Sequence, residues 1–247
     1  MRTITISSRF CGPPTSANGG IAAGLLAQQL EALADEDRRA NRRAVEVTLK
    51  APPPLDVALS VETSDDTVRL LHDGLVVAVA RRVDAFEVSA PPDLSYAQAT
   101  AIAAGSPVLQ TAKEHPFPSC FVCGPARTVG DGLRIFAAQI PGGVAFVAPF
   151  CPTGEQLGSE FVWAAMDCPS SFPMYLESDP LPGPYVLGRM TAQIDGVLEI
   201  GRNYVVAAWR DEVSGRKLLT SVVLYEPATA DRGIVELARA RSVWIRL

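Results

Sequence analysis

The strongest constraint on this chain is a repeated order of predicted elements: a long apolar helix followed by strand-like segments, twice in 247 residues. Helices are predicted from residue 21 to 30 and from 160 to 176, where Pro169 must end or bend the second helix. Strands are predicted at 44–50, 57–62, 68–72, 75–83, 133–138, 143–150, 185–194, 203–210, 218–225 and 234–246. This duplication indicates an α+β fold of two tandem antiparallel sheets, each wrapped around a buried helix, with the sheets joined edge to edge.

The segment between the two copies differs in composition from both. It holds Pro91 and Pro92, a short alanine-rich piece and the run from His115 to Pro118. Proline-rich stretches of this kind are typical of connections between compact units. We therefore predict an N-terminal unit at 1–90, a linker at 91–117 and a C-terminal unit at 118–247.

Charge and hydropathy exclude several classes of partner. The formal net charge is -5, whereas a nucleic-acid partner calls for a concentrated basic face. The first residues lack the apolar core of a secretion signal, and no apolar run approaches the roughly 20 residues that span a bilayer. We expect a cytoplasmic protein with neither nucleic-acid nor membrane partners.

Five cysteines, an odd number, fit a reducing compartment better than a disulfide framework. Cys120 and Cys123 form a CxxC pair, with His115 just upstream, and this spacing is compatible with half of a zinc site. The sequence offers no second ligand pair, so inert thiols are the favoured interpretation. We predict no metal and no cofactor.

Asp167 is the single charged residue in the segment 161–169, which reads FVWAAMDCP. Burying a lone carboxylate costs several kcal/mol unless it takes up a proton or finds partners. The two interpretations are a catalytic carboxylate and a carboxylate satisfied by backbone hydrogen bonds near Pro169. The apolar neighbours favour the catalytic interpretation.

Two segments carry a resemblance to a known family. The run from Cys120 to Pro125, CFVCGP, with GDGLRIF at 130–136, resembles the CFxCG…GLxLxF pattern of phenylacetyl-CoA-thioesterase-like hotdog proteins. Asn18-Gly19-Gly20 is similar to that group's HGG helix start, with Asn in place of His. The resemblance implies a double hotdog, in which one chain carries both halves of the usual dimer.

The resemblance also implies a split site, with a glycine-rich helix start in one half and an acid two turns into the helix of the other. The first half has Asn18-Gly19-Gly20 but carries Leu26 at the acid position, and the second has Asp167 but begins its helix with Ser159-Glu160. One complete and one degenerate site are therefore expected in each chain.

In the complete site, the amides of Gly19 and Gly20 are expected to polarise a thioester carbonyl. Asp167 would act as general base or as nucleophile, and Asn18 would orient the water or the carbonyl. The candidate substrate-binding residues are Trp163, Thr191 and Ser242, although each is also consistent with a core or surface position.

The sequence thus predicts an acyl-CoA thioesterase-like hydrolase acting on an acyl-CoA or acyl-carrier-protein thioester, as a homodimer. The alternative is a non-catalytic acyl- or acyl-CoA-binding protein of the same fold. A hydratase ranks lower because its Asp-x-Asn-Pro-x-His type segment is absent. Four arginines at 38, 39, 42 and 43 could meet coenzyme A phosphates, but a solvated helix end is the favoured interpretation.

Overall fold

A computed structural model describes residues 2–33, 44–64, 66–110, 115–154 and 156–247. The arginines Arg38, Arg39, Arg42 and Arg43 lie outside the described residues. Within the described part of the chain, no helix is long and apolar enough to cross a membrane.

Eleven antiparallel strands in these residues form one sheet. In chain order they are β1 (Arg2–Thr5), β2 (Ala44–Leu49), β3 (Ala58–Ser64), β4 (Thr67–His72), β5 (Leu75–Val83), β6 (Ala138–Gln139), β7 (Phe146–Phe150), β8 (Tyr185–Ile194), β9 (Tyr204–Ser214), β10 (Lys217–Glu226) and β11 (Val235–Arg246). The order across the sheet is β1-β3-β4-β5-β2-β8-β11-β10-β9-β7-β6.

The halves of the chain occupy separate blocks of this sheet. They meet where β2 pairs with β8, from Val45 opposite Ala192 to Thr48 opposite Arg189. The expectation of two tandem sheets is therefore replaced by one continuous sheet, while the expected edge-to-edge junction is present. The junction pairs backbone groups that two separate sheets would each leave unpaired at an edge.

The helices are α1 (Gly19–Glu31), α2 (Tyr96–Ala103), α3 (Pro107–Gln110) and α4 (Ser159–Ser171). The two long helices, α1 and α4, pack on each other and on the sheet, and their buried faces belong to the main core. Pro169 does not stop α4 at once: α-helical geometry persists to Ser171, and a 3-10 turn follows at Phe172–Tyr175. Because proline lacks an N–H, Pro169 removes one hydrogen bond to the preceding turn of α4. The helix nevertheless continues for two more residues.

The predicted strand at 133–138 is wrong for most of its length, since only Ala138 belongs to a strand. Arg134 has φ of 53°, a left-handed conformation that interrupts an extended strand. The backbone N–H groups of Leu133 and Ile135 instead donate to the carbonyls of Phe121 and Val122, at 2.9 Å each. This segment therefore braces the cysteine-containing loop and does not extend the sheet.

The segment predicted as a linker carries the short helices α2 and α3. Ala99 of α2 is buried against Val147, Val205 and Val223, a small core separate from the main one. The hydroxyl of Ser106 donates to the carbonyl of Ala137 at 2.8 Å. The segment thus packs on the C-terminal strands while it connects the two halves.

Asp73 and Gly74 form the turn of a β-hairpin between β4 and β5. His72 pairs with Leu75 across a two-residue turn whose residues have φ of 49° and 77°. Positive φ at both positions matches the twist of the flanking strands, and Asp-Gly is a preferred sequence for such a turn.

Candidate active site

Asn18 links the start of α1 to the middle of α4. Its Oδ1 accepts the backbone N–H of Ile21 at 3.0 Å, which caps the helix. Its Nδ2 donates to Asp167 Oδ2 at 2.8 Å. Because the cap fixes the amide oxygen, it also fixes the direction in which the NH₂ group points.

Gly20 brings the backbone of α1 into direct contact with α4. Its N–H donates to Asp167 Oδ2 at 2.9 Å. A Cβ on Gly20 would lie 2.6 Å from the Asp167 Cβ and 2.8 Å from the Ala164 Cα, closer than packed atoms allow. This crossing therefore requires glycine at position 20.

The expectation for the two glycine amides needs a correction. Both were expected to be free for a substrate carbonyl, but Asp167 occupies the Gly20 N–H because the helices cross so closely. Gly19 is the first residue of α1, where an N–H has no acceptor within the helix, and it lines the adjacent cavity. Of these two amides, only that of Gly19 is not bonded to Asp167.

Asp167 is buried, with 1% of its surface exposed. Burial raises its pKa to about 7, with a smaller contribution from nearby Cys120, against the opposing hydrogen bonds from Gly20 and Asn18. Its second oxygen, Oδ1, has no hydrogen-bond partner among the described residues. Among the described residues, the carboxyl group is thus anchored through Oδ2 alone.

A group of three buried thiols adjoins the carboxylate. Cys120 Sγ lies 3.6 Å from Cys168 Sγ, and with Cys123 the three sulfur atoms lie within 4.8 Å of one another. Asn18 Nδ2 is 3.8 Å from Cys120 Sγ and 3.7 Å from Cys168 Sγ. The Asn18 amide therefore faces the carboxylate and two thiols together.

The site opens into a cavity of about 760 Å³. Asp167, Asn18, Gly19 and the three clustered cysteines contribute to its wall. Much of the remaining lining is apolar or aromatic, including Phe117, Phe172, Met174, Tyr185, Leu187 and Trp244. A largely apolar cleft with a few convergent polar groups is the usual form of a small-molecule site.

The three predicted substrate-binding residues are not part of the cavity wall. Trp163 is buried in the main core. Thr191 follows the buried Met190 along β8, and because strand side chains alternate, it points to the opposite face of the sheet. Ser242 is buried behind α4, and its Oγ lies 3.1 Å from the Ser170 Oγ.

Ser242 instead belongs to a supporting group behind the site. The Ser170 hydroxyl donates to the carbonyl of Asp167 at 2.7 Å, and the Trp244 Nε1–H donates to the same Ser170 oxygen at 3.0 Å. These contacts hold the C-terminal turn of α4. They act on the position of Asp167.

The position in α1 that corresponds to Asp167 lies one residue after the predicted Leu26. Gly20, the second residue of α1, packs on Ala164, the sixth residue of α4. The matching contact joins Glu160, the second residue of α4, to Gly24, the sixth residue of α1. Asp167 is the ninth residue of α4, and the ninth residue of α1 is Ala27 rather than Leu26. Both Leu26 and Ala27 are buried core residues, so this side of the crossing has an apolar residue where the other has Asp167.

Sequence reasoning missed Cys168 as a neighbour of the CxxC pair. The available signal was its position directly after Asp167, which places it on the same turn of α4. The contact also depends on the loop that ends at Gly124, whose path no periodic pattern marks.

No protein-family model matches the chain, and no curated protein matches it in sequence. Solved structures do match. A conserved protein of unknown function with a hotdog fold from Alicyclobacillus acidocaldarius is 14% identical, with a TM-score of 0.57 over 99% of this chain and 92% of that one. A proposed thioesterase II from Thermobifida fusca is 13% identical, with a TM-score of 0.61 over 99% and 91%.

An acyl-CoA thioesterase II from Mycobacterium marinum is 10% identical, with a TM-score of 0.53 over 98% of this chain and 91% of that one. At these identities the likeness establishes architecture and not activity. The similarity extends over nearly the whole length of each chain, so it covers both helix-and-strand halves. The chain has the hotdog fold.

Proposed function

We propose that this chain is a double-hotdog hydrolase of acyl thioesters, with one working site per chain. The N-terminal unit 1–90 and the C-terminal unit 118–247 would each represent one subunit of the usual hotdog dimer, with 91–117 as the connection. The observation that carries the proposal is the Asp167 carboxyl group, buried at a cavity wall and held by Gly20 and Asn18 of the other half.

The contacts around Asp167 support a mechanism of thioester hydrolysis. Water attacks the thioester carbonyl while Asp167 Oδ1 accepts a proton from it, and burial makes this carboxylate a stronger base than an exposed one. The negative charge that develops on the carbonyl oxygen is stabilised by the Gly19 N–H at the positive end of α1. The C–S bond then breaks, the thiolate takes up the proton, and a carboxylic acid and a free thiol are released.

Asn18 has a positioning role in this scheme. It holds Asp167 Oδ2 while its own oxygen caps the helix. We therefore assign the reacting water to Oδ1, which has no partner among the described residues. A carboxyl group with one fixed oxygen has fewer orientations to lose when the reacting water binds.

The cavity and the fold neighbours support the proposed substrate class. The wall is mainly apolar, which suits an acyl chain or an aromatic acyl group. Lys50 is an exposed cation on that wall, placed to meet a phosphate of coenzyme A or of a carrier-protein arm. Two of the fold neighbours are described as a proposed thioesterase II and an acyl-CoA thioesterase II, which supports thioesters over other esters.

The test is release of free thiol from a panel of short, long and aromatic acyl-CoA substrates. We expect turnover by the wild type and its loss in Asp167→Asn, with Asp231→Asn, an exposed carboxylate, as the matched control. No turnover of any member of the panel would contradict the proposal. Equal turnover by the Asp167→Asn variant would contradict the assigned base.

A further inference from the structure

The three thiols beside Asp167 have no part in the proposed hydrolysis. Cys120 and Cys123 lie on the loop that precedes Gly124, and Cys168 lies on α4, 45 or more residues away in the chain. All three are free thiols, each less than a tenth exposed, and all three line the cavity. The fold thus supplies Cys168 as the third thiol that the isolated CxxC pair lacked in the sequence.

The spacing of the sulfur atoms suits one thiophilic metal ion. Zinc binds thiolate sulfur at about 2.3 Å, and tetrahedral geometry then separates two sulfurs by about 3.8 Å. Cys120 Sγ and Cys168 Sγ lie 3.6 Å apart, and the whole group lies within 4.8 Å. Small rotations of the side chains would bring all three sulfurs to bonding distance of a common centre.

Hydrogen-bond donors already surround the sulfur atoms. The Asn18 NH₂ group faces Cys120 and Cys168, and His115 Nε2 lies 3.6 Å from Cys123 Sγ. Metal binding requires thiolates, and these donors favour the deprotonated form.

His115 is placed as a supporting residue and not as a ligand. The Phe117 N–H donates to His115 Nδ1 at 3.0 Å, so the neutral ring carries its proton on Nε2. The Nε2–H then points at Cys123 Sγ as a donor to a thiolate, and its lone pair is not free for a metal.

We propose that Cys120, Cys123 and Cys168 bind one zinc ion through three thiolates, with the fourth position left to a water molecule from the cavity. The ion would fasten the cysteine loop to α4 directly beside Asp167. Three thiolates and Zn²⁺ leave one net negative charge, which the Asn18 NH₂ group and the His115 Nε2–H face. The proposal stands apart from the hydrolase proposal, because it rests on the thiols and is measured as metal content.

The experiment is a metal analysis of the full-length chain, kept reduced, exposed to zinc and then freed of unbound metal. We expect one zinc per chain in the wild type, and its loss in Cys168→Ser and Cys120→Ser. Cys151→Ser is the matched control, since Cys151 is a free cysteine outside the cluster, and it should keep its zinc. His115→Ala should keep the stoichiometry but bind zinc more weakly, because it removes a supporting donor.

Cobalt provides a second measurement that does not depend on the variants folding. Titration of the reduced wild type with Co²⁺ should give the sulfur-to-cobalt charge-transfer absorption of three thiolates and the visible bands of a four-coordinate ion. Folded, fully reduced wild type that takes up neither zinc nor cobalt would overturn the proposal. So would a Cys168→Ser variant that binds zinc as tightly as the wild type, or a loss of zinc in Cys151→Ser alone.

Discussion

The Asp167 carboxylate accepts the backbone N–H of Gly20 at 2.9 Å across the contact between α4 and α1. This bond joins a charge-bearing residue of one half of the chain to a helix start of the other. The site therefore forms only when the two halves pack with α1 and α4 in their observed relative positions.

Replacing Asp167 with Asn should separate catalysis from folding. The Asn side chain has the same shape, and its oxygen can still accept from Gly20 and Asn18, but it cannot take a proton from water. We expect kcat to fall by roughly 10²–10⁴-fold. Thiol-release kinetics measure the effect, and circular dichroism shows whether the fold persists.

Gly20→Ala should damage both stability and activity. The new Cβ would lie 2.6 Å from the Asp167 Cβ and 2.8 Å from the Trp163 carbonyl oxygen, so the helices must move apart. Such overpacking typically costs about 1–3 kcal/mol, to be measured by urea unfolding.

Gly143→Ala is the control for that measurement, because the nearest atom to its new Cβ lies 3.5 Å away. It should change the free energy of unfolding by less than about 0.5 kcal/mol. If Gly20→Ala were as stable and as active as Gly143→Ala, the close helix crossing would not be what positions Asp167.

The raised pKa of Asp167 makes stability depend on pH in a defined direction. In the metal-free chain the folded carboxyl group titrates at about 7, above its ordinary value of 3.8, so the folded state holds the proton longer than the unfolded state. Stability should therefore fall as pH rises from about 4 to about 7 and then level off. The decrease in the free energy of unfolding over this range is on the order of 1–4 kcal/mol.

Asp167→Asn should remove this dependence. The free energy of unfolding of both proteins is measured with urea between about pH 4 and pH 7. As the pH rises through this range, the wild type should become progressively less stable relative to Asp167→Asn. A difference that does not change with pH would show that the carboxyl group keeps an ordinary pKa.

The strands and helices could be read largely from the sequence. The strand Leu75–Val83 was predicted to the residue, because an apolar run begins directly after the Asp-Gly turn, and Tyr185–Ile194 was predicted equally well. The segment from Leu133 failed because its pattern is strand-like, whereas Arg134 adopts a left-handed conformation that no pattern announces. Local patterns indicate elements but not the contacts that interrupt them.

The components of the site could be named from the sequence, but their contacts could not. Asp167 stood out as a charge among apolar residues, and the helix start at Asn18 stood out by its glycines. That Gly20 bonds to Asp167, and that Cys168 joins Cys120, follows from how two distant helices and a loop pack. Residues 149 positions apart, such as Asn18 and Asp167, meet only through that packing.

Lys50 offers the most direct test of the substrate's polar end. It is exposed on the cavity wall and follows β2, whereas the wall near Asp167 is mostly apolar. If it meets a phosphate of coenzyme A, Lys50→Glu should raise KM for acyl-CoA by about three- to tenfold at low salt, with little change in kcat. A thioester of the same acyl group on a short thiol without phosphates should show no such change.

Lys217→Glu is the control for the same charge reversal, because Lys217 is exposed on β10 and does not line the cavity. It should leave both kinetic constants unchanged. The rise in KM for Lys50→Glu should also shrink as salt is added, since exposed charges are screened within about 10 Å at 0.1 M ionic strength. An equal effect on the phosphate-free thioester would place Lys50 at the acyl end of the cavity, contrary to the assignment.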